Sequence, residues 1–438
     1  MRKGLLFITT LLLLSACTTA GGVQQPPAQQ EAEAGGVSGG SSKVSGRLTV
    51  STHRVDLVED GTFDRYADAF QKRYPEVEEV VFEPIVNYES DIRIRLTTGD
   101  AGDVLLIPGN IAQVNLGDFF ENLNDTAEGL GELYFKYYKS YLGNVYGIVS
   151  GVSTEGIIYN KKAFARAGIT APPRTLDELY AACEKLKRAG ITPFYINYGA
   201  QWPMKQWGEV LVTMMSGRGS YLDSMIQTDE PFRTDNEFGR SLTILRTLMS
   251  RGYVEPDLQS NRWEASKGEF AQGNVGMFFM GNWMIRQLEQ AGTAPQDIGY
   301  IPFPYGNSGT YHALMNTDWF YAVSRNSRNK EAAKAWIRFM IEESGYAELS
   351  GFIPPQKKRR PELPQLEEFF SYGPDVFENA PSSPLWYAIG NKAKIDFYRG
   401  EYLQRAAVAE SLPDAFATLN ASWKANRLRV LEARSGGR

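Results

Sequence analysis

The sequence is poor in the residues that build metal centres and covalent cross-links. Its 438 residues include only two histidines, His53 and His312, and two cysteines, Cys17 and Cys183. A histidine-rich metal centre and a disulfide framework are excluded by that count. Basic charge is not in excess either: 46 Lys and Arg stand against 51 Asp and Glu, a formal net charge of −5. A duplex-binding surface needs the opposite balance, so nucleic acid is not an expected partner. Internal repeats, a P-loop, a zinc-binding motif and a nucleophile elbow are all missing from the sequence, and it calls for no cofactor. Past the N-terminus, no apolar run is long enough to cross a bilayer. What is present is ordinary globular material, 43% hydrophobic and 22% charged, in a chain long enough for two or three units. Aromatic residues reach 12%, with 23 Tyr, 23 Phe and 8 Trp. They supply flat apolar faces with polar edges.

The N-terminus reads as an address rather than as part of a fold. Arg2 and Lys3 precede an apolar run over residues 4–14, too short for a permanent span. It ends in Leu14-Ser15-Ala16-Cys17, which resembles a bacterial lipobox. That motif implies a signal peptide over residues 1–16, cleavage before Cys17 and lipid on its thiol. An ordinary signal peptide with an incidental cysteine is the plainer alternative. Residues 17–45 are then a lipidated cysteine and a flexible tether of Gly, Gln, Ala, Ser, Pro and Glu. Such a segment has too little apolar surface to offset its ordering entropy. The expected place of work is the extracellular face of the cytoplasmic membrane.

Beyond the tether, the apolar spacing predicts strands over residues 47–52, 77–82 and 103–107 with helices over 62–74 and 88–98 between them. This β-α-β-α-β order predicts a mainly parallel sheet. A second unit follows, with a strand over 154–159 and a helix opened by the capping-box pattern Thr175-Leu176-Asp177-Glu178. Cys183 lies on the apolar face of that helix, which predicts a buried, unreactive thiol. Further helices are predicted over 203–217, 236–251 and 329–343, and strands over 275–280 and 319–323. Trp207 and Trp336 fall in helical patterns that suit the core.

Three segments carry a resemblance. The first holds Tyr146-Gly147-Ile148, then Thr154-Glu155-Gly156-Ile157-Ile158-Tyr159-Asn160-Lys161-Lys162-Ala163-Phe164, and runs on through Pro172-Pro173 to Gly190-Ile191-Thr192-Pro193. The second is Phe270-Ala271-Gln272-Gly273-Asn274-Val275-Gly276-Met277 with Gly281-Asn282-Trp283. The third is Ala322-Val323-Ser324-Arg325-Asn326-Ser327-Arg328-Asn329-Lys330-Glu331. In order and spacing they resemble the bacterial extracellular solute-binding proteins, family 1, of carbohydrate ABC importers. The resemblance covers roughly residues 46–350. It implies an α/β, two-lobed periplasmic-binding-protein fold, type II-like, each lobe a mainly parallel sheet flanked by helices, with the ligand cleft between lobes. The N-lobe would combine 46–149 with 314–346, and the C-lobe 150–313 with 347–438. Crossings between them would fall near 146–151, 312–316 and 345–352. The implied partners are a carbohydrate ligand, the permease subunits of the importer and the membrane, reached through Cys17. A monomeric, non-enzymatic chain is expected.

A sugar presents hydroxyls around its edge and C–H faces above and below, so its site needs aromatic planes and fixed polar groups. Trp283, after Gly281-Asn282 at a helix start, is a candidate stacking platform. Trp202 in its loop is another. Asp318 and Trp319 follow the second crossing, His53 follows the first strand, and Tyr146 borders the hinge. Asp103, at a position where the family commonly has an Asp, suits either ligand contact or a capping role. Asn110 follows the third strand, and Glu89 opens the second helix as either a ligand contact or a cap. The basic run Lys357-Lys358-Arg359-Arg360 reads as a solvated loop, with a transporter or membrane contact as the alternative. A lipid-anchored glycoside hydrolase is the rival reading. It would need two carboxylates flanking the scissile bond. A surface adhesin would show repeats or an all-β pattern, and neither is present.

Overall fold

The computed structural model describes residues 43–109, 111–397 and 400–435. Strands Gly46–Thr52 (β1), Val77–Pro84 (β2) and Val104–Leu106 (β3) alternate with helices Thr62–Arg73 and Tyr88–Thr98. The first helix buries Phe63, Ala67 and Phe70. It stops before Tyr74, because a residue preceding proline is pushed out of helical backbone. β1 pairs in parallel with both β2 and β3.

Strand Ile148–Val149 (β4) belongs to the same sheet, while Val152–Asn160 (β5) opens a second one. The second sheet adds Thr192–Tyr195 (β6), Val275–Gly281 (β7), Ile298–Ile301 (β8) and His312–Thr317 (β9). Phe320–Val323 (β10) returns to the first sheet, and Asp375–Glu378 (β11) closes the second. The orders are β2-β1-β3-β10-β4 and β11-β9-β5-β7-β6, with β8 also on β5. One edge of the long β5 thus serves two partners: β9 along residues 152–154 and β8 along 157–160.

Two expectations need correction. The sheets are mixed rather than mainly parallel. β10 is antiparallel to β3 and β4, and β5 is antiparallel to β7, β8 and β9. The crossings explain much of this. β4 and β9 run into a crossing, whereas β5 and β10 run out of one, so neighbours on either side of it point opposite ways. The second crossing also falls later than 312–316. Strand β9 pairs with β5 through Thr317, and the chain changes sheet only at Asp318-Trp319. Residues 315–317 therefore pair within the second sheet. The first crossing is at Ser150-Gly151, between β4 and β5. The third follows helix Tyr346–Leu349, where Ile353 bridges to Val152.

Side chains of β5 alternate between two cores. Ile158 joins Phe278, Met280 and Tyr300 on one face. Ile157 and Tyr159 join Met277, Phe279 and Ile301 on the other. Trp207 and Trp336 are buried, as their helical patterns predict. Cys183 is also buried, and burial pushes its thiol up. The helix Leu176–Arg188 is capped by Thr175, whose Oγ1 accepts from Glu178 N at 3.2 Å. The return bond differs from a strict capping box: the Glu178 carboxylate accepts from Arg174 N, one residue earlier. Residues 203–217 are not one regular helix. A 3-10 turn at Trp202–Met204 passes into a π turn at Gln206–Val210 and then helix Leu211–Ser216.

Candidate functional site

A cavity of about 960 Å³ opens between the two sheets, where the ends of several strands meet the crossings. Its walls include His53 after β1, Ser153 and Thr317 at the ends of β5 and β9, and Asp318 in the second crossing. Helices Trp263–Ala271 and Met284–Gln290, with the residue before the second, add Trp263, Lys267, Trp283 and Arg286 to the lining. Tyr346 and Ser350, near the third crossing, close one end. Ligand sites of open α/β sheets gather at such strand ends.

Three tryptophans form one aromatic block. The ring centroids of Trp202 and Trp263 are 4.8 Å apart, and each lies 6.2 Å from that of Trp283. Trp263 and Trp283 line the cavity, whereas Trp202 stands behind them. Lys267 Nζ sits 4.9 Å from the Trp263 ring centroid, a cation–π distance. The Trp283 indole is folded over Gly281: a Cβ there would lie 2.4 Å from its Nε1 and 3.0 Å from Glu155 Oε1. Only glycine leaves room for the ring and the carboxylate at that corner.

Glu155 is a buried carboxylate at the foot of this block. Gln206 Nε2 donates to it at 3.1 Å, and Asn316 bonds it from β9. Burial pushes its carboxyl up to about 7. The π turn places Gln206 there, a recurrent use of such turns at working sites. Just before it, Gln201 has φ +65°, a conformation costly outside glycine. The loop from Ile196 to Tyr198 is pinned by Glu255, whose two oxygens accept from Ile196 N at 2.8 Å and Tyr198 N at 2.9 Å.

On the facing side, burial, with Arg54 adjacent, pushes the His53 imidazole down to about 4, so it is neutral at physiological pH. Its ring centroid lies 5.3 Å from that of Trp319, and its Nδ1 is buried with no partner. Arg54 grips Asp56 through two bonds and donates to Ser350 Oγ at 2.9 Å. Those bonds hold Asp56 below the usual carboxylate range. Burial raises Asp318, against a hydrogen bond from Ser150 Oγ at 2.8 Å.

The residues singled out from sequence therefore divide. Trp283, His53 and Asp318 line the cavity. Trp202 and Trp319 back its walls through ring contacts. Glu89 stands at the end of β3, where its carboxylate accepts from Gly109 N at 3.0 Å and fixes the loop. Asp103 and Tyr146 do not line the cavity. Asp103 sits at the start of β3, the end away from the crossings. Its oxygens accept from Thr49 N at 2.9 Å and from Ser327 Oγ, so it clasps β1 to the turn after β10. Tyr146 packs its hydroxyl end against Gly117 within the first lobe. Asn110 and Cys17 lie outside the described residues. The site also holds Trp263, Glu155 and Gln206, which the sequence does not mark. Trp263 opens a helix after a polar turn, the same context that marks Trp283. Glu155 is a lone carboxylate inside an otherwise apolar strand. Among the described residues no group of three His, Cys, Asp or Glu side chains could hold a metal ion.

The profile of bacterial extracellular solute-binding proteins matches residues 55–347. The chain belongs to that family. An uncharacterised ABC transporter extracellular-binding protein of Pyrococcus horikoshii is 25% identical over 316 residues, 68% of this chain and 69% of its own. The melibiose/raffinose/stachyose-binding protein of Bacillus subtilis is 28% identical over 301 residues, 67% of this chain and 70% of its own. Among solved structures, an ABC-transporter binding protein of Bifidobacterium animalis subsp. lactis, in complex with mannobiose, superposes with a TM-score of 0.74. It is 25% identical, and the match covers 88% of this chain and 95% of that one. These neighbours are binding proteins of transporters, and their two-lobed α/β architecture is that of this chain.

Proposed function

We propose that this protein captures a sugar or oligosaccharide in the cleft between its lobes and delivers it to the permease subunits of an ABC importer. The tryptophan block facing hydrogen-bonding carboxylates across the cavity carries the reading. Trp263 and Trp283 offer planes for the apolar faces of sugar rings. Asp318 offers oxygens for hydroxyl groups. Trp202 and Trp319 back the walls, and Glu89 and Asn110 remain candidate hydroxyl partners from the sequence. The ligands named for the Bacillus and Bifidobacterium relatives support the same class. The three crossings serve as hinges, so that ligand contact with both lobes favours a closed form. The lipobox at residues 14–17 supports anchoring through Cys17 at the outer face of the cytoplasmic membrane. Replacing Cys17 by Ala then releases the protein from the membrane fraction or leaves it unprocessed; identical fractionation and processing would refute the anchor.

A thermal-shift screen against neutral mono- and oligosaccharides tests the binding role. A ligand at 100 times its dissociation constant stabilises by about 2.7 kcal/mol, which raises the melting temperature measurably. A screen with no shift for any sugar would overturn the reading.

A further inference from the structure

We infer that the cleft is built for an uncharged, hydroxyl-rich glycan and turns away uronate, sulfated and phosphorylated ones. This rests on the sugar-binding reading and narrows it. Among the described residues, each strong cation on the cavity wall is already committed to a carboxylate of the chain itself. Arg54 bonds Asp56 at 2.8 and 2.6 Å. Lys267 Nζ lies 3.0 and 2.9 Å from the two oxygens of Glu264. Arg286 donates to Glu289 at 2.8 Å. A ligand anion recruiting any of them would have to compete with a carboxylate that the chain already supplies.

Beside these ion pairs and Asp318, the polar lining is uncharged groups that both donate and accept, among them Ser153, Gln287, Gln290 and Thr317. Asp318 takes a hydrogen bond from Ser150 Oγ and faces the cavity. Glu155, behind Trp283, is met by the uncharged amides of Gln206 and Asn316. Beyond it, Lys205 lies in the field of both Glu155 and Glu209, so its charge is opposed as well. A sugar hydroxyl donates to such oxygens, and a carboxylate, sulfate or phosphate does not. Rejection then comes from the prior pairing of the wall cations rather than from shape.

Calorimetric titration with matched pairs tests this. The probes are neutral di- and trisaccharides of mannose, galactose and glucose, against digalacturonate, trigalacturonate and glucuronate-containing counterparts. The expected result is binding of at least one neutral member, with its uronate counterpart about tenfold weaker or worse. A uronate bound as tightly as its neutral counterpart overturns this inference and leaves the sugar reading standing. No binding by any probe overturns both. Glu264→Gln supplies a second arm. Its side chain is 81% exposed, so the fold is retained, and Lys267 is left unpaired. The variant should gain uronate affinity severalfold without loss of neutral-sugar affinity; no gain contradicts the charge argument.

Discussion

At the residue scale, the account turns on Trp283 and Glu155. The Trp283 ring is half-buried and packs on two other indoles, so it serves both the wall and the cavity. Trp283→Ala should weaken sugar binding by about 1–3 kcal/mol, roughly 5- to 150-fold. It should also cost folding stability, though less than the about 3–5 kcal/mol of a fully buried Trp→Ala change. Titration calorimetry and a denaturant melt on one variant separate the two effects. Unchanged affinity would remove Trp283 from the ligand surface. Glu155 makes a pH prediction. Burial raises its carboxyl from 4.5 to about 7, so the folded protein keeps a proton that the unfolded chain has released. Its contribution is therefore most favourable below about pH 4.5 and is lost as pH rises toward 7. Glu155→Gln should gain stability relative to wild type across that window and show a constant difference above it. Paired melts at several pH values check this, and a difference independent of pH would contradict it.

At the element scale, the crossing segments are tied together by Asn282, which is fully buried. Its Oδ1 accepts from Thr154 N at 2.7 Å, and its Nδ2 donates to Gly351 O at 2.6 Å. One amide thus joins β5, the turn after β7 and the third crossing. Asn282→Ala leaves two buried backbone groups unpaired and should cost about 2–4 kcal/mol, read from denaturant midpoints. A loss under about 0.5 kcal/mol would show that the junction is held elsewhere. Elements of this kind differ in how far the sequence reveals them. Helices such as Thr62–Arg73 and Lys330–Glu342 are legible, because their apolar spacing and stop signals are local. The direction of β10 and the placement of β9 are not, because strand pairing is decided by where distant segments meet. The site divides in the same way. Trp283 and His53 stand at element ends that a sequence marks. Asp103 opens its strand at the end away from the crossings, where it bonds Thr49 N and Ser327 Oγ, the capping alternative that the sequence offers. Glu155 lies where an apolar strand pattern hides it, and Gln206 reaches it only because a π turn replaces a regular helix.

At the scale of the whole molecule, two sheets joined by three chain crossings border a tryptophan-walled cleft. Ligand that touches both lobes should draw them together and lower the radius of gyration in small-angle scattering. A curve unchanged at saturation would argue against closure. The central claim is capture without chemistry, and one measurement meets it head-on: calorimetric titration of the purified protein with the neutral oligosaccharides, followed by chromatography of the recovered ligand. The account predicts saturable binding at one site per chain, with the sugar recovered intact. No saturable heat with any member of the set, or recovery of cleaved products, would contradict it.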